Sequence, residues 1–155
     1  MYKIEQQEGN DPLFIFNTSN GLTYYVSFQK MEIDSDYFQY LYSVDFGEVN
    51  GFKKPKDELI GVTIKYIISN FLNNKKFALL HYVCDSSDGR HYGRSRLFST
   101  WFDVFKENNH SKFVINYKND EIDYQLEFIF NNLEYKLDEL ETQVIKQMDR
   151  FSEFK

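Results

Sequence analysis

The sequence predicts an α+β fold, with a mainly antiparallel sheet packed by helices in the order βββ-α-β-α-ββ-α. In the N-terminal third, apolar and polar residues alternate with the period of two that is typical of half-buried strands. A helical apolar stripe follows, and the continuous apolar run "KFALLHYVC" comes directly after it. Because strands and helices do not alternate regularly along the chain, the pattern favours α+β over a parallel α/β fold.

The first predicted elements are the strands of an antiparallel meander. Residues 1–12 are predicted to form a loosely attached, flexible arm ahead of them. Two strands then flank Asn20-Gly21, a dipeptide that tolerates the positive φ angles of tight turns. The second strand is predicted to present one apolar face, made of Leu22, Tyr24, Val26 and Phe28. The third strand is predicted to present another, made of Phe38, Tyr40, Tyr42, Val44 and Phe46.

An amphipathic helix is predicted over residues 55–73. Pro55 suits a helix start, and Asp57 and Glu58 complement the positive end of the helix. The predicted buried stripe consists of Ile60, Ile64, Ile67, Ile68, Phe71 and Leu72. The apolar run that follows does not alternate, which is typical of a central strand covered on both faces.

The C-terminal part predicts a second helix, a hairpin and a third helix. The hairpin is expected to turn at Asn119-Asp120. The second helix carries the apolar stripe Leu97, Phe98, Trp101, Phe102 and Phe105. The third helix is predicted to direct inward Leu137, Leu140, Val144, Ile145, Met148 and Phe151.

Length and composition fit a single domain over residues 1–155. A hydrophobic fraction of 42% supplies a core that needs no disulfide or metal. Cys84 is the only cysteine, which excludes an intramolecular disulfide, and no Cys/His set has the spacing of metal ligands. We therefore expect no cofactor and no metal. The sequence has neither a signal-peptide core nor an apolar run near the roughly 18 residues of a membrane span, so we expect a cytoplasmic protein without membrane contact.

The charge balance is acidic, with 18 basic and 24 acidic residues and a net charge of −6. This balance argues against nucleic acid as a partner, because phosphate repulsion would have to be overcome locally. Between residues 120 and 141 eight acids accompany a single base, Lys136, which predicts an acidic face.

Three of the four arginines lie in the loop between the predicted central strand and the second helix. Glycines permit sharp turns and close ligand approach, and backbone N–H groups at a helix start favour an anion. Guanidinium groups donate paired hydrogen bonds to phosphate or carboxylate. The sequence therefore predicts a site for an anionic small molecule or an acidic protein surface, formed by Arg90, Gly93, Arg94, Ser95 and Arg96.

Four interpretations of the chain stay open. Structurally, Asp85, Asp88 and acids of the C-terminal half would neutralise the arginines. In a binding module, which we favour, both aspartates orient the arginines and Trp101 anchors the following helix. In an enzyme acting on a phosphorylated, nucleotide or acyl-CoA-like substrate, His91 or Asp88 would be the general acid or base. In a structural homo-oligomer, for example a homodimer, an exposed aromatic strand or the last helix would form the contact. His81, in the apolar run, is expected to be a core residue with satisfied hydrogen bonds.

Two resemblances involve this loop. The pattern C-D-x-x-D-G-R at 84–90, with R-x-R-x-F at 94–98 and W-F at 101–102, resembles a family of small uncharacterised bacterial proteins known only as a domain of unknown function. That resemblance implies no activity. "RHYGRS" at 90–95 is also similar to the R/Q-x-x-G-x-G/A pyrophosphate loop of a large group of acetyltransferases. The helix predicted directly before the strand departs from the order that this group implies, so we do not adopt it.

Overall fold

A computed structural model describes residues 1–9, 11–52, 56–85, 109–118 and 123–151 of the chain. The strands are β1 Ile4–Gln7, β2 Leu13–Asn17, β3 Thr23–Lys30, β4 Leu41–Glu48, β5 Leu79–Asp85, β6 His110–Lys118 and β7 Asp123–Asn131. The helices are α1 Glu58–Asn74, α2 Leu137–Lys146 and α3 Met148–Phe151, and a 3-10 turn spans Asp36–Phe38. All seven strands join one sheet in the order β1-β2-β3-β4-β5-β7-β6.

The predicted α+β class with a mainly antiparallel sheet is confirmed. Neighbouring strands are antiparallel everywhere except at β4 and β5, which run parallel and are connected through α1. Four strands precede α1 rather than three. The additional strand, β1, pairs with β2 from Ile4–Phe16 to Gln7–Leu13, inside the segment predicted as an arm. Its sequence, "IEQQ", contains one apolar residue and thus no alternation to recognise.

Helix α1 covers one face of the sheet, and its predicted stripe is confirmed. All six predicted residues are buried in a core cluster that also holds Phe16, Val26 and Phe28. Burying each such side chain stabilises the fold by roughly 1.5–3 kcal/mol. The helix starts at Glu58 rather than at 55, because Asp57 is the N-cap and its Oδ1 accepts a 3.0 Å hydrogen bond from the Leu59 N–H.

Helices α2 and α3 cover the opposite face. Leu140, Val144 and Phe151 pack there against apolar residues of β5 and β7. Strand β5 lies between β4 and β7 and sends Leu79 to this face and Leu80 to the α1 face. The prediction of a central strand covered on both sides is therefore confirmed.

Two apolar faces differ from their predictions. The third strand begins only at Leu41, because the 3-10 turn Asp36–Phe38 interrupts the alternation; Tyr40 is consequently 48% exposed. In the last helical segment Leu137 and Ile145 are 52% and 54% exposed rather than inward. Residue 145 lies about 100° around the helix from the buried Val144, which turns it away from the sheet.

The remaining predicted elements are confirmed only in part. Gly21 has a φ of +78°, and β2 and β3 pair up to Asn17–Thr23, as a turn at Asn20-Gly21 requires. Strands β6 and β7 form the predicted hairpin, whereas its turn, Pro55 and the second helix lie outside the described residues. No helix in the described segments combines the length and the apolarity needed to cross a membrane.

Candidate functional site

The predicted anion site starts where β5 ends. Asp85 is the last residue of that strand, and the structure describes its backbone position. The other predicted site residues lie outside the described residues: Asp88, Arg90, His91, Gly93, Arg94, Ser95, Arg96 and Trp101. Their roles stay predictions. The described residues define the end of the sheet from which their loop departs.

At that end of the sheet lie the carboxyl ends of β4 and β5, which are the one parallel pair among the described strands. The β4–β5 ladder contains three residue pairs and ends at Ser43–His81. Beyond it the two strands are not paired with each other; Phe46 and Tyr82 stack there instead, with ring centroids 5.7 Å apart and planes inclined by 16°. A crevice outside the carboxyl ends of parallel strands is where ligands bind in open α/β sheets. The loop that carries the arginines begins at this position.

In the loop that follows β4, the N–H groups of two described residues are already hydrogen-bonded to a side chain of the protein. The Glu48 side chain is buried, and its Oε2 accepts hydrogen bonds from the N–H groups of Asn50 at 2.7 Å and Phe52 at 2.8 Å. Gly51, with a φ of +75°, permits the tight turn that brings these groups together. The protein's own carboxylate therefore occupies an arrangement that would otherwise suit an anion.

The start of α1 is likewise satisfied internally. Asp57 accepts hydrogen bonds from the Leu59 N–H and from the Tyr2 hydroxyl, and the Tyr2 N–H donates to Thr63 Oγ1 at 3.0 Å. This helix start thus carries a negative charge and is tied to the N-terminal segment. The sequence indicated Asp57, whereas Tyr2 was missed because its segment was interpreted as an arm.

A buried ion pair lies on the same sheet face as Tyr82, the cross-strand neighbour of Glu127. Lys112 Nζ is 3.5 Å from Glu127 Oε1, and the Glu127 side chain is inaccessible to solvent. The predicted acidic face at 120–141 is therefore wrong at Glu127. The signal was present in "YQLEFIF", where Leu126 and Phe128 alternate with this glutamate and leave it on the other face.

His81 is buried on the face covered by α2 and α3, as predicted. Its ring stacks on Phe128 at 4.7 Å and meets Phe151 edge-on at 5.1 Å. The expectation of satisfied hydrogen bonds is wrong, because neither ring nitrogen has a partner within the described parts of the chain. Burial lowers the pKa of His81 to about 4, and the backbone of Glu127 opposes this shift only in part. His81 is therefore neutral near pH 7.

The described residues contain no group of three His, Cys, Asp or Glu side chains arranged to hold a metal ion. His110 is buried and opens β6 directly after Asn109, whose φ is +73°.

The sheet and its crossover helix define an α+β protein in which one pair of strands, β4 and β5, is parallel. The chain belongs to the family of unknown function DUF6169, whose model matches residues 56–148. This match confirms the resemblance to an uncharacterised family. No curated protein matches the chain.

Two solved structures are similar over 79% of this chain. One is ribosomal-protein-S5-alanine acetyltransferase from Vibrio fischeri, with 8% identity, a TM-score of 0.46 and 62% of that chain covered. The other is a proposed phosphinothricin N-acetyltransferase, with 14% identity, a TM-score of 0.42 and 68% covered. The chain thus spans less than two thirds of the first structure's length. Both TM-scores are below 0.5, so neither likeness supports a conclusion about this protein.

Proposed function

We propose that the protein is a binding module that holds an anionic ligand at the carboxyl end of β5. The guanidinium groups of Arg90, Arg94 and Arg96 would bind the anion, and Gly93 and Ser95 would let the backbone approach it. The observation that supports this proposal most directly is the three-pair β4–β5 ladder, which leaves the carboxyl halves of two parallel strands unpaired with each other.

The charges at this end of the sheet support a role for the arginines. The described carboxylates there, Glu48 and Asp57, already occupy backbone N–H groups of the β4–α1 connection and the start of α1. An incoming anion must therefore obtain its positive charge from another segment. In the sequence, the three arginines follow the end of β5 within eleven residues.

Arg94→Ala tests the proposal in the full-length chain. Inorganic phosphate, ATP and coenzyme A would be titrated while the fluorescence of Trp101, the only tryptophan, is recorded. Loss of one charge-assisted hydrogen bond predicts binding weakened by about tenfold or more. Arg150→Ala is the matched control, because it removes an exposed arginine in α3. A folded Arg94→Ala protein that binds each probe as tightly as the wild type would overturn the proposal.

The same titration separates a module from an enzyme. A bound probe recovered unchanged agrees with a binding module. Hydrolysis or acyl transfer that is lost in His91→Gln or Asp88→Asn would instead assign the chain to enzymes acting on phosphorylated, nucleotide or acyl-CoA-like substrates.

A further inference from the structure

A groove of about 450 Å³ lies at the opposite end of the sheet, where β4 and β5 begin. Its volume is in the range of small-molecule sites. Lysines and aromatic rings dominate its wall: Lys30, Lys75, Lys76, Tyr40, Tyr42 and Phe77. None of the described residues that line it is acidic. We call it the lysine–aromatic groove.

The lysines of this groove come from two places in the chain, the end of β3 and the end of α1, and have no ion-pair partner among the described residues. Lys30 ends β3, Lys75 is the C-cap of α1, and Lys76 follows it. A cation at a helix C-terminus also stabilises the helix, which accounts for Lys75. It does not account for Lys30, so three positive charges meet at one place in a chain of net charge −6.

The aromatic rings are exposed although their backbone is held firmly. Tyr40 and Phe77 are 48% and 57% exposed, and their ring centroids are 6.1 Å apart. The Tyr40 carbonyl accepts a 2.9 Å hydrogen bond from the Leu79 N–H, and the Phe77 carbonyl accepts one of 2.5 Å from the Tyr135 hydroxyl. These bonds fix the two residues beside the sheet while both rings keep a free surface for a planar ligand.

A cation–π contact joins one lysine of the groove to one of its aromatic rings. Lys75 Nζ is 6.0 Å from the ring centroids of both Tyr42 and Phe71. This contact holds the Lys75 ammonium against Tyr42, which lines the groove, and the buried Phe71.

We propose that the lysine–aromatic groove binds a nucleotide unit. A base would stack on Tyr40 and Phe77, and the lysines would hold its phosphate. Aromatic platforms beside positive charge bind nucleotides with little dependence on base identity, because every base has a π-face. Both a mononucleotide and a short single strand carry this chemistry, and the experiment distinguishes these two sources.

The wild-type chain would be titrated with ATP by calorimetry and with a fluorescent oligo(dT) of fifteen nucleotides by anisotropy. Tyr40→Ala and Phe77→Ala are each expected to weaken binding by about tenfold, and Lys76→Gln by a smaller factor that shrinks at high salt. Tyr66→Ala in α1 and Lys146→Gln in α2 are matched exposed controls that should leave binding unchanged. Binding of ATP alone identifies a mononucleotide site, and binding of the oligonucleotide alone identifies a single-strand site.

Three results would overturn this inference. Tyr40→Ala and Phe77→Ala proteins that bind both probes normally would exclude stacking. Competition by polyglutamate as strong as that by nucleotides would show that charge alone is recognised. Binding lost in Arg94→Ala but retained in the groove variants would assign it to the loop after β5. Conversely, failure of the Arg94→Ala test leaves the expected effects of the groove variants unchanged, so the two proposals stand or fall separately.

Discussion

His81→Met is expected to make the stability of the protein less sensitive to acid. In the folded chain burial lowers the pKa of His81 from 6.5 to about 4. Between these values the unfolded chain binds a proton that the folded chain does not. The free energy of unfolding therefore falls as the pH falls from about 6.5 towards 4, and recovers as the pH rises.

The size of the effect follows from the same two pKa values. A decrease from 6.5 to about 4 corresponds to about 3 kcal/mol once the pH is below both. At pH 5.5 about one third to one half of this has been lost, roughly 1 kcal/mol, whereas at pH 7.5 almost none has. The side chain is fully buried, so solvent screening does not reduce the value.

Urea unfolding of the wild type and of His81→Met at pH 7.5 and 5.5 measures this effect. Methionine is apolar, has a volume similar to that of histidine and adapts to neighbours such as Phe128 and Phe151. The variant should lose about 1 kcal/mol less than the wild type between the two pH values. Contributions of other titrating groups cancel in this comparison. Equal losses in both proteins would refute the inference that a neutral, buried imidazole lacks polar partners.

Three further comparisons, made by urea unfolding, test an ion pair, a turn and the core. Lys112→Met should destabilise the protein by about 1–3 kcal/mol, and adding Glu127→Gln should restore part of this, because a buried carboxylate has lost its cation; no recovery would contradict the pairing. Gly21→Ala should cost about 1 kcal/mol because φ is +78°, whereas Gly47→Ala meets only ordinary contacts at 3.6 Å and should be nearly neutral; equal effects would argue against strain at the turn. Phe151→Ala should cost about 3–5 kcal/mol, since the ring is fully buried against β7; a loss under 1 kcal/mol would mean that α3 is not part of the core.

The parts of the fold that the sequence predicted are those with a strong local pattern. Helix α1 has six apolar residues at helical spacing, and the strand of "KFALLHYVC" has an uninterrupted apolar run. Strand β1 has no such pattern. Its extended conformation depends on pairing with β2, which the local sequence does not reveal. The turn at Asp36–Phe38 was missed for another reason: its aromatic residues continue the alternation of the strand and conceal the break.

The candidate site was predictable only as a set of residues. The arginines and glycines after β5 are neighbours in the sequence, so their clustering needed no structure. The position proposed for the site, at the carboxyl ends of β4 and β5, depends on these strands being parallel, which is a long-range pairing without a local signal. The Glu48 carboxylate, which takes the Asn50 and Phe52 N–H groups, was missed because an acid at a strand end is usually a solvated side chain.

The parallel pair also explains why the sheet has two different ends. Because β4 and β5 run in the same direction, α1 must carry the chain back across the sheet before β5 can begin. The end of α1, with Lys75 and Phe77, therefore reaches the start of β4, where Tyr40 lies. At the other end the same two strands separate after three residue pairs, and the arginine loop departs there. An antiparallel β4–β5 connection would have needed only a short turn, and no helix end would then have brought Lys75 and Phe77 to the start of β4.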